Sequence, residues 1–440
     1  MPPVVYKFGG TSLGTAESIK KVYDIICKNT PQFIVVSAVA GITDLLDMFC
    51  SVSSEYREQI VLDIVKKHNE IIHDLQLAFS ISPWIEKLNN CIDKEEISPS
   101  NRAEILAVGE DISASLFRAF CYSKNFSVEF LEARTVILTD DEYGRATPDV
   151  SRMHTNWQTL HFQNNVCYIT QGFIGANSSG KTTLLGRGGS DYSSALIAEM
   201  SSAKEVRIYT DVNGIYTMDP RIIEDAQLIP ELSFEEMQNL ATFGAKILYP
   251  PMLSPCVRAG IPIFVTSTFD VSKGGTWIYA MDKIVGYEPR VKALSLRQHQ
   301  RLWSVDCGGI GAVSLDKILP ILDTYRVLPG LITSQDSTVS FTTDDDDVSE
   351  DVIRDLYCKL SSIGTVHMLY DLALITMIGS GLASTKVVTT VTEKLRNYPS
   401  PVFCCCQSCM ALSLVVPENL AGNIVEQLHN DYVKQKFSVV

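Results

Sequence analysis

Short apolar runs and amphipathic segments alternate from the first residues of the chain. Val4 to Phe8 predicts a strand, Thr15 to Asn29 predicts a helix, and Gln32 to Ala38 is a near-continuous apolar run. A run of that kind is typical of a strand that is covered on both faces. Because glycine-containing turns follow both strands, the order of elements predicts the opening of a parallel α/β sheet.

The same alternation continues as far as residue 267. We predict further helices over Leu45 to Phe79 (one or two), Asn101 to Lys124 and Phe234 to Ile247, and further strands over Ser127 to Leu131, Val166 to Ile174, Glu205 to Thr210 and Ile261 to Ser267. Asn213-Gly214 is a strong tight-turn signal and predicts a hairpin at the end of the sheet. The predicted fold class is α/β, with a parallel-rich sheet sandwiched by helices.

The pattern changes near Pro289. After this residue, short apolar strands alternate with amphipathic helices in smaller units, and two rounds of strand–helix–strand–strand–helix–strand account for them. We therefore predict one domain over residues 1–289 and two ferredoxin-like α+β modules over residues 290–440. The run from Asp344 to Asp347, between two of these elements, is expected to be a solvated loop.

Composition narrows the class of protein. The 440 residues are 46% hydrophobic and 20% charged, which is ordinary for a folded globular protein, and the net charge is −14. A charge of this sign disfavours nucleic acid and anionic membrane surfaces as partners. No apolar run is long enough to span a bilayer, and the N-terminal segment lacks the features of a signal peptide, so we expect a cytoplasmic protein.

The 12 cysteines are scattered, except for a cluster between Cys404 and Cys409. Cys406 and Cys409 form a C-x-x-C pair, but no second Cys or His pair lies nearby at the spacing of zinc ligands. In a cytoplasmic protein these cysteines are expected to be reduced. We interpret the three consecutive cysteines, Cys404 to Cys406, as buried thiols that act as small hydrophobic side chains, with a structural or redox-sensitive role as the alternative.

The stretch from Gly186 to Asp191 is the leading candidate for chemistry. Three of its first four residues are glycines, which allow a tight turn and close approach to a ligand. Ser190 and Asp191 are good helix-capping residues, and free N–H groups at a helix start bind anions. Arg187 adds a forked donor for a carboxylate or phosphate, and Asp191 suits an ammonium group. The stretch is suited to both charges of an amino acid beside a phosphate; the alternative is a plain helix cap with a flexible entry.

Glu110 and Asp111 fall in the middle of a predicted helix, directly after Gly109. A polar pair at such a position usually belongs to a solvated face. The neighbouring glycine allows a second interpretation, in which the pair faces a cleft.

A second glycine-containing stretch, Gly175 to Thr182, matches the nucleotide-binding pattern G-x-x-x-x-G-K-[ST] at every fixed position. That pattern requires a helix that begins at the lysine, so that successive N–H groups converge on the phosphates. Here Gly186, Gly188 and Gly189 follow at once, and each glycine would destabilise such a helix by about 1 kcal/mol. We therefore interpret residues 175–183 as a hairpin loop and keep a P-loop NTPase as the alternative.

Five stretches together resemble the monofunctional aspartate kinases of the amino-acid kinase family. In chain order they are Lys7 to Ser12, Ala40 to Thr43, Gly186 to Asp191, Thr210 to Arg221, and Phe243 to Lys246. With the tail they span nearly the whole chain, and the opening hexapeptide separates aspartate kinases from relatives that act on other substrates. The resemblance implies the amino-acid kinase (carbamate kinase-like) fold, followed by two ACT modules.

The resemblance also implies the reaction: transfer of the γ-phosphoryl group of ATP, with Mg²⁺, to the side-chain carboxylate of L-aspartate. The product, 4-phospho-L-aspartate, leads towards lysine, diaminopimelate, threonine and methionine. The implied catalytic residues are Lys7 and Asp191. The implied ATP-binding residues are Lys7, Gly9, Gly10, Ser12, Thr210, Asp211, Tyr216, Arg221 and Lys246. The implied aspartate-binding residues are Thr43, Glu110, Arg187, Gly188, Gly189, Ser190 and Asp191.

ACT modules usually bind an amino-acid end product and build a dimer, so the resemblance implies a homodimer with an amino-acid effector. The implied effector positions are Ser334, Gln335 and Asp336. Lysine-sensitive members tend to carry Ser-Glu where this chain has Gln335-Asp336, and an Asp is common at the position of Gly330. Lysine, threonine, another effector or none therefore stay open, as does a protein that binds the effector without turnover.

Overall fold

The structure is a computed structural model in which the chain divides into two compact units. It describes residues 2–163, 165–244, 248–280, 290–308, 314–346, 348–396, 398, 404–408 and 410–434. Unit 1 comprises residues 1–215, 230–234 and 248–281, and unit 2 comprises residues 216–229, 235–247 and 282–440. The predicted domain boundary between residues 289 and 290 stays a prediction.

The described strands and helices alternate as predicted, with one correction: the predicted strand Val166 to Ile174 is broken after Gln171, and Ile174 belongs to a separate two-stranded sheet. The strands are β1 (Val4–Phe8), β2 (Phe33–Val36), β3 (Val128–Phe130), β4 (Cys167–Gln171), β5 (Ile174–Ala176), β6 (Thr182–Leu184), β7 (Glu205–Thr210), β8 (Glu231–Ser233), β9 (Ile263–Ser267), β10 (Gly275–Tyr279), β11 (Arg290–Asp306), β12 (Ile332–Gln335), β13 (Thr338–Asp344), β14 (Thr365–Ser380), β15 (Cys404–Gln407) and β16 (Ala411–Pro417). The helices are α1 (Ala16–Lys28), α2 (Ile42–Ser51), α3 (Ser54–Leu75), α4 (Ser82–Asn89), α5 (Pro99–Ser123), α6 (Ala133–Val136), α7 (Val150–Trp157), α8 (Gly189–Ser201), α9 (Phe234–Phe243), α10 (Leu253–Ala259), α11 (Ser314–Thr324), α12 (Glu350–Ser361), α13 (Thr385–Leu395) and α14 (Glu418–Leu428).

Unit 1 is built on an eight-stranded sheet with the order β3-β4-β2-β1-β7-β9-β10-β8. Neighbouring strands from β3 to β9 are all parallel, and β10 is antiparallel to β9. All four residues of β2 are buried, as the apolar run predicts. Helix α1 is one of the helices that contribute to the core of this unit. Thr15 and Ser18 form a reciprocal capping box at its start. Its apolar face, with Ile19, Val22 and Ile26, is buried in the core. The predicted sheet between helices is confirmed.

The loop that matches the P-loop pattern is a hairpin. Strands β5 and β6 pair in antiparallel fashion on either side of residues 177–181, which we call the hairpin loop. Its conformation is held from within, because the Asn177 Oδ1 accepts hydrogen bonds from the N–H groups of Ser179 (3.1 Å) and Lys181 (3.0 Å). A strand begins at Thr182, where a P-loop would continue a helix. The P-loop alternative is therefore excluded.

The hairpin predicted at Asn213-Gly214 is wrong. Strand β7 ends at Thr210 and has parallel partners on both sides, β1 and β9. With both edges of β7 occupied, the chain that leaves it cannot fold back to pair with it. The turn signal marks an exit from the sheet instead.

Unit 2 contains a six-stranded antiparallel sheet with the order β12-β13-β11-β14-β16-β15. Strands β11 and β14 run the length of two modules and pair with each other through bulges near residues 297–302. The two modules have separate cores, one around Trp303 and Phe341 and the other around Leu412 and Ile424.

This topology corrects the prediction that the two modules follow one another along the chain as two complete rounds of strand–helix–strand–strand–helix–strand. Strand β14 closes the first module with its first half and opens the second with its second half. The first half of β11 supplies the remaining strand of the second module, because residues 290–297 pair with residues 374–380. Sequence periodicity predicts short strands in this region, but it cannot show that one long strand serves two cores.

Two smaller expectations in unit 2 have different outcomes. Asp344 and Asp345 are not simply solvated, because they pair with Arg297 and Arg301 at 2.9 and 3.0 Å. The cysteines at 404–406 lie in β15, but their side chains are outside the described part of the chain. Their interpretation as small hydrophobic side chains stays a prediction.

Candidate active site

The turns that follow β1 and β2 approach each other closely. A Cβ on Gly10 would lie 2.8 Å from the carbonyl oxygen of Ala38, so only glycine fits there. After β2, Gly41 adopts a left-handed conformation with φ of 75° and precedes α2. Thr43, in the first turn of α2, reaches the same cavity as Lys7 of β1.

Lys7 and Asp191 form an ion pair at the centre of the site. Lys7 lies in β1 and Asp191 in the first turn of α8, and the Lys7 Nζ lies 2.7 Å from the Asp191 Oδ1. Both side chains are largely buried, with 10% and 13% of their surface exposed. The cavity therefore contains a lysine cation whose charge is balanced by a neighbouring carboxylate.

Residues 186–191, which we call the helix-entry loop, lead into α8. Gly186 and Gly188 have φ angles of 77° and 65°, in the left-handed region that favours glycine. A Cβ on Gly188 would lie 2.4 Å from the Tyr249 Cβ, and one on Gly189 would lie 2.6 Å from the Phe173 Cδ2. Packing against neighbours as well as backbone conformation therefore requires glycine in this loop.

The start of α8 differs from the predicted cap. Gly188 is the N-cap residue and has no side chain that could satisfy the first N–H groups of the helix, while Ser190 and Asp191 belong to its first turn. Because Asp191 does not cap the helix, its carboxylate is available to Lys7. The Gly189 N–H donates to the Gly186 carbonyl (3.0 Å). The next N–H groups of α8 belong to Ser190 and Asp191, two residues that line the cavity, which makes this helix end suited to an anion.

Glu110 of α5 is buried and lines the cavity, so the second interpretation of this residue is the right one. Its Oε1 accepts a hydrogen bond from the Ala38 N–H (3.3 Å), and its Oε2 is buried without a hydrogen-bond partner among the described residues. Burial raises the pKa of the Glu110 carboxyl to about 8. A ligand that brings an ammonium group would supply the missing donor.

These residues surround one cavity of about 550 Å³. The predicted site residues that line it are Lys7, Gly10, Thr43, Glu110, Arg187, Gly188, Gly189, Ser190 and Asp191. Its walls offer cations, carboxylates and helix N–H groups within one space. That combination is suited to a small zwitterion with an additional negative charge.

Four other predicted residues lie in unit 1 at or near the carboxyl ends of β1 and β7, outside the lining of this cavity. The Gly9 N–H donates to the Tyr209 carbonyl (3.1 Å), which ties the β1 exit to β7. Ser12 is buried and hydrogen-bonds the Thr268 hydroxyl (2.6 Å). Thr210 donates to the Asp211 carboxylate (3.1 Å), and both side chains remain accessible to solvent.

Comparisons with known proteins identify the family of this chain. The model of the amino acid kinase family matches residues 2–267. An aspartokinase of Chlamydia pneumoniae is 58% identical over 436 residues, covering 99% of each chain. The chain belongs to the aspartokinases.

Solved aspartokinases share this fold over almost the whole chain. E. coli aspartokinase III in complex with aspartate and ADP, in its R-state, has a TM-score of 0.83 at 32% identity and covers 97% of this chain and 99% of its own. The complex of E. coli aspartokinase III with lysine and aspartate, in the T-state, has a TM-score of 0.80 at 32% identity and covers 98% and 100%. The predicted family, fold class and enzyme class are confirmed.

For three residues that the resemblance assigns to nucleotide binding, the structure places none in the described part of unit 1. Tyr216 and Arg221 belong to unit 2, where Tyr216 forms a β-bridge with Leu228 and Arg221 forms a two-pronged ion pair with Asp219. Lys246 falls among residues 245–247, outside the described residues. Their roles stay predictions.

The three predicted effector residues lie in unit 2 of this aspartokinase. Ser334 and Gln335 end β12, and Asp336 turns the chain towards β13 with a positive φ of 52°. All three are exposed to solvent. Their part in effector binding stays a prediction.

Some residues of the aspartokinase site carry no local signal in the sequence. Ser37, Phe173, Asp47 and Arg102 line the cavity, and the last two form an ion pair. Phe173 has a φ of 68°, which is unusual for a residue with a side chain. These positions become apparent only when the fold brings distant segments together.

No described helix is both long and apolar enough to cross a membrane.

Proposed function

We propose that this chain transfers the γ-phosphoryl group of ATP to the side-chain carboxylate of L-aspartate and forms 4-phospho-L-aspartate. The observation that carries this proposal is the buried Lys7–Asp191 pair, in one cavity with Glu110 and the helix-entry loop. The E. coli relative, solved with aspartate and ADP, supports the same pair of substrates.

In this proposal the helix-entry loop and α2 bind the amino acid. Arg187 and the N–H groups of Gly188 and Ser190 take its α-carboxylate, since a helix start and a guanidinium both favour an anion. The unpartnered oxygen of Glu110 accepts from the ammonium group. Thr43 and Ser190 complete the pocket with hydroxyl groups, which can donate to the side-chain carboxylate.

The reaction needs no general base. The side-chain carboxyl of free aspartate has a pKa of about 3.9, so the attacking carboxylate is already ionised at neutral pH. The enzyme has instead to align the two substrates and offset negative charge on the phosphates. Lys7 is placed for the second task, because substrate phosphates can compete with Asp191 for its ammonium group.

Mg²⁺ fits this site as an ion that arrives with ATP. The described residues contain no group of three or more His, Cys, Asp or Glu side chains that would hold a metal alone. Protein sites often bind Mg²⁺ largely through substrate phosphates and water, so we propose that the ion enters with ATP and needs no metal site built by the protein alone. The ion supplies charge neutralisation on the phosphates.

The nucleotide side of the proposal uses the turns at the ends of β1 and β7. Gly10 brings its backbone N–H group to this side, and Thr210 ends β7 and Asp211 follows it. Gly9 and Ser12 hold the turn in place through their hydrogen bonds to Tyr209 and Thr268. The roles of Tyr216, Arg221 and Lys246 in nucleotide binding are proposed from the family resemblance.

Regulation is proposed to reside in the two modules of unit 2, with dimerisation through the same modules. The E. coli relative was solved with lysine as well as aspartate, which supports an amino-acid effector. The departures at Gly330, Gln335 and Asp336 leave its identity to experiment. Lysine, threonine and methionine, each added to the activity assay, would identify the effector by the one that inhibits.

The main test is a product assay with hydroxylamine, which converts an acyl phosphate to a hydroxamate. Purified protein with ATP, Mg²⁺ and L-aspartate is expected to form the hydroxamate. Succinate, which lacks the ammonium group, and β-alanine, which lacks the α-carboxylate, serve as matched control substrates. Equal yields from all three acids would contradict the proposed pocket, and no product from aspartate would refute the function.

A further inference from the structure

Behind the cavity, Arg134 of α6 connects two segments that are distant in sequence. Its Nη1 and Nη2 donate to the two carboxylate oxygens of Asp111, each at 3.0 Å. Its Nε donates to the Thr182 hydroxyl at 2.8 Å. A guanidinium fork is planar and rigid, so it fixes both the distance and the orientation of the groups it joins.

Gln171 at the end of β4 completes the network. Its Nε2 donates to Asp111 Oδ1 and to Glu132 Oε2, each at 3.0 Å, and its Oε1 accepts from the Ala133 N–H at 3.0 Å. The Arg134 Nη1 also donates to Glu132 Oε1 at 2.8 Å. One guanidinium and two carboxylates thus join α5, α6, β4 and β6, and the Asp111 and Arg134 side chains are only 10% and 19% exposed.

Both ends of this network lead directly to the proposed aspartate pocket. Asp111 follows Glu110 in α5, whose unpartnered oxygen is proposed to accept from the substrate ammonium. Thr182 begins β6, which ends at Leu184 in the cavity wall, two residues before the helix-entry loop. The threonine that completes the P-loop pattern in the sequence therefore receives a hydrogen bond from Arg134.

We propose that Arg134 is a positioning residue for the amino-acid substrate, holding Glu110 and the helix-entry loop at the separation that L-aspartate requires. It does not touch the cavity, and it acts through Asp111 on one side and Thr182 on the other. The inference rests on the proposed function, because the substrate assignment gives Glu110 and the loop their common ligand.

The proposal predicts a selective effect on aspartate. Arg134→Gln removes the fork, and a displacement of about 1 Å in a binding group can reduce the rate about a hundredfold. We expect the KM for aspartate to rise about tenfold or more, with the KM for ATP changed less than about threefold. Thr182→Val keeps the charge pair and loses only the bond to β6. We expect it to raise the KM for aspartate about threefold, with a fall in melting temperature no larger than that of the control variant described next.

Arg258→Gln is the matched control. Arg258 forms an equally two-pronged pair with Glu199, at 2.9 and 2.7 Å, but near the far end of α8 from the helix-entry loop. It should lower the melting temperature and leave both KM values unchanged. In the double variant Arg134→Gln with Thr182→Val, the aspartate KM should equal that of Arg134→Gln alone, because the second bond is already lost.

The possible results distinguish a failure of this inference from a failure of the proposed function. The inference is overturned if the KM values for aspartate and ATP rise together, or if Arg134→Gln changes them no more than Arg258→Gln does. Should Arg134→Gln fail to fold, Thr182→Val decides, and an unchanged aspartate KM in that variant is the overturning result. A wild-type protein that forms no hydroxamate refutes the proposed function and the inference with it, whereas an active wild type with an unaffected Arg134→Gln variant refutes the inference alone.

Discussion

Two glycine-containing loops of unit 1, the hairpin loop and the helix-entry loop, lie a few residues apart in the sequence, and one leads into a strand while the other leads into a helix. The hairpin loop follows β5, ends in a strand and is held by its own Asn177 side chain. The helix-entry loop opens α8, and its glycines are wedged against Tyr249 and Phe173. A Cβ on Gly180 of the hairpin loop would meet no described atom within 4 Å.

This contrast shows that a phosphate-binding motif needs a particular backbone structure as well as particular residues. The hairpin loop matches a nucleotide-binding pattern letter by letter, yet no helix follows to direct N–H groups at one point. The helix-entry loop matches no such general pattern, but it begins a 13-residue helix beside a buried lysine. An anion site therefore depends on a helix that follows the loop and on the groups that pack around it, as well as on the residues of the motif.

The largest expected effect separates the two lysines. Lys7→Ala removes the buried cation paired with Asp191, and loss of one charge-stabilising group typically costs a factor of about 10² to 10³ in kcat. Lys181→Ala, in the exposed hairpin loop, should leave kcat within about twofold. Hydroxamate formation measures both. A P-loop enzyme would show the reverse ranking.

The second prediction compares two glycines of similar conformation. Gly188→Ala combines a φ of 65° with a Cβ that would lie 2.4 Å from the Tyr249 Cβ, so overpacking should destabilise the fold by about 1–3 kcal/mol and reduce kcat/KM for aspartate about tenfold or more. Gly180→Ala has a φ of 73° but open space, so only the strain of about 1–2 kcal/mol remains and activity is kept. Equal loss of activity in both variants would contradict the distinction between the loops.

The third prediction concerns pH. The folded pKa of Glu110, about 8, lies above its ordinary value of 4.5 because burial disfavours the charged form. Folding therefore favours the protonated carboxyl, and this stabilisation is full below pH 4.5 and is lost as the pH rises through 8. Glu110→Gln does not titrate, so its stability relative to wild type should increase by up to about 1.4 kcal/mol per pH unit across that window.

Denaturant unfolding at several pH values measures this difference. Glu17→Gln is the control, because the exposed Glu17 has its pKa lowered by a hydrogen bond from Lys21. That variant should show no gain over wild type with rising pH. A constant offset between Glu110→Gln and wild type would show that Glu110 does not titrate as expected. The same variant should also raise the KM for aspartate, since the amide oxygen of Gln can accept from an ammonium group but lacks the negative charge of a carboxylate.

The smallest effect belongs to the hairpin loop itself. Asn177→Ala removes two hydrogen bonds that close the loop, and we expect a loss of about 1–2 kcal/mol in the free energy of unfolding. The kinetic constants should stay at wild-type values, because the loop is not part of the cavity lining. A change in the KM for ATP would revive a nucleotide-binding role for this loop.

Local pattern in the sequence was sufficient for much of the fold. Strands β1 and β7 occupy the predicted residues, and α1 begins one residue after the predicted Thr15, which is its cap. Period and capping are short-range properties, so they can be recognised in a single sequence. The family resemblance added residues that the structure brings into one cavity, among them Lys7 and Arg187.

Other features were decided only by tertiary structure. Helical periodicity leaves Glu110 between solvent and cleft, because burial depends on what packs against α5. The sharing of β14 between two cores and the pairing of Arg134 with Asp111, 23 residues away, likewise arise from contacts between distant segments. The sequence alone indicated many of the strands and helices and the turns that carry reactive groups, because period, capping and turn signals are local. Which elements lie side by side, and which polar groups are thereby buried, depended on long-range packing that no local pattern encodes.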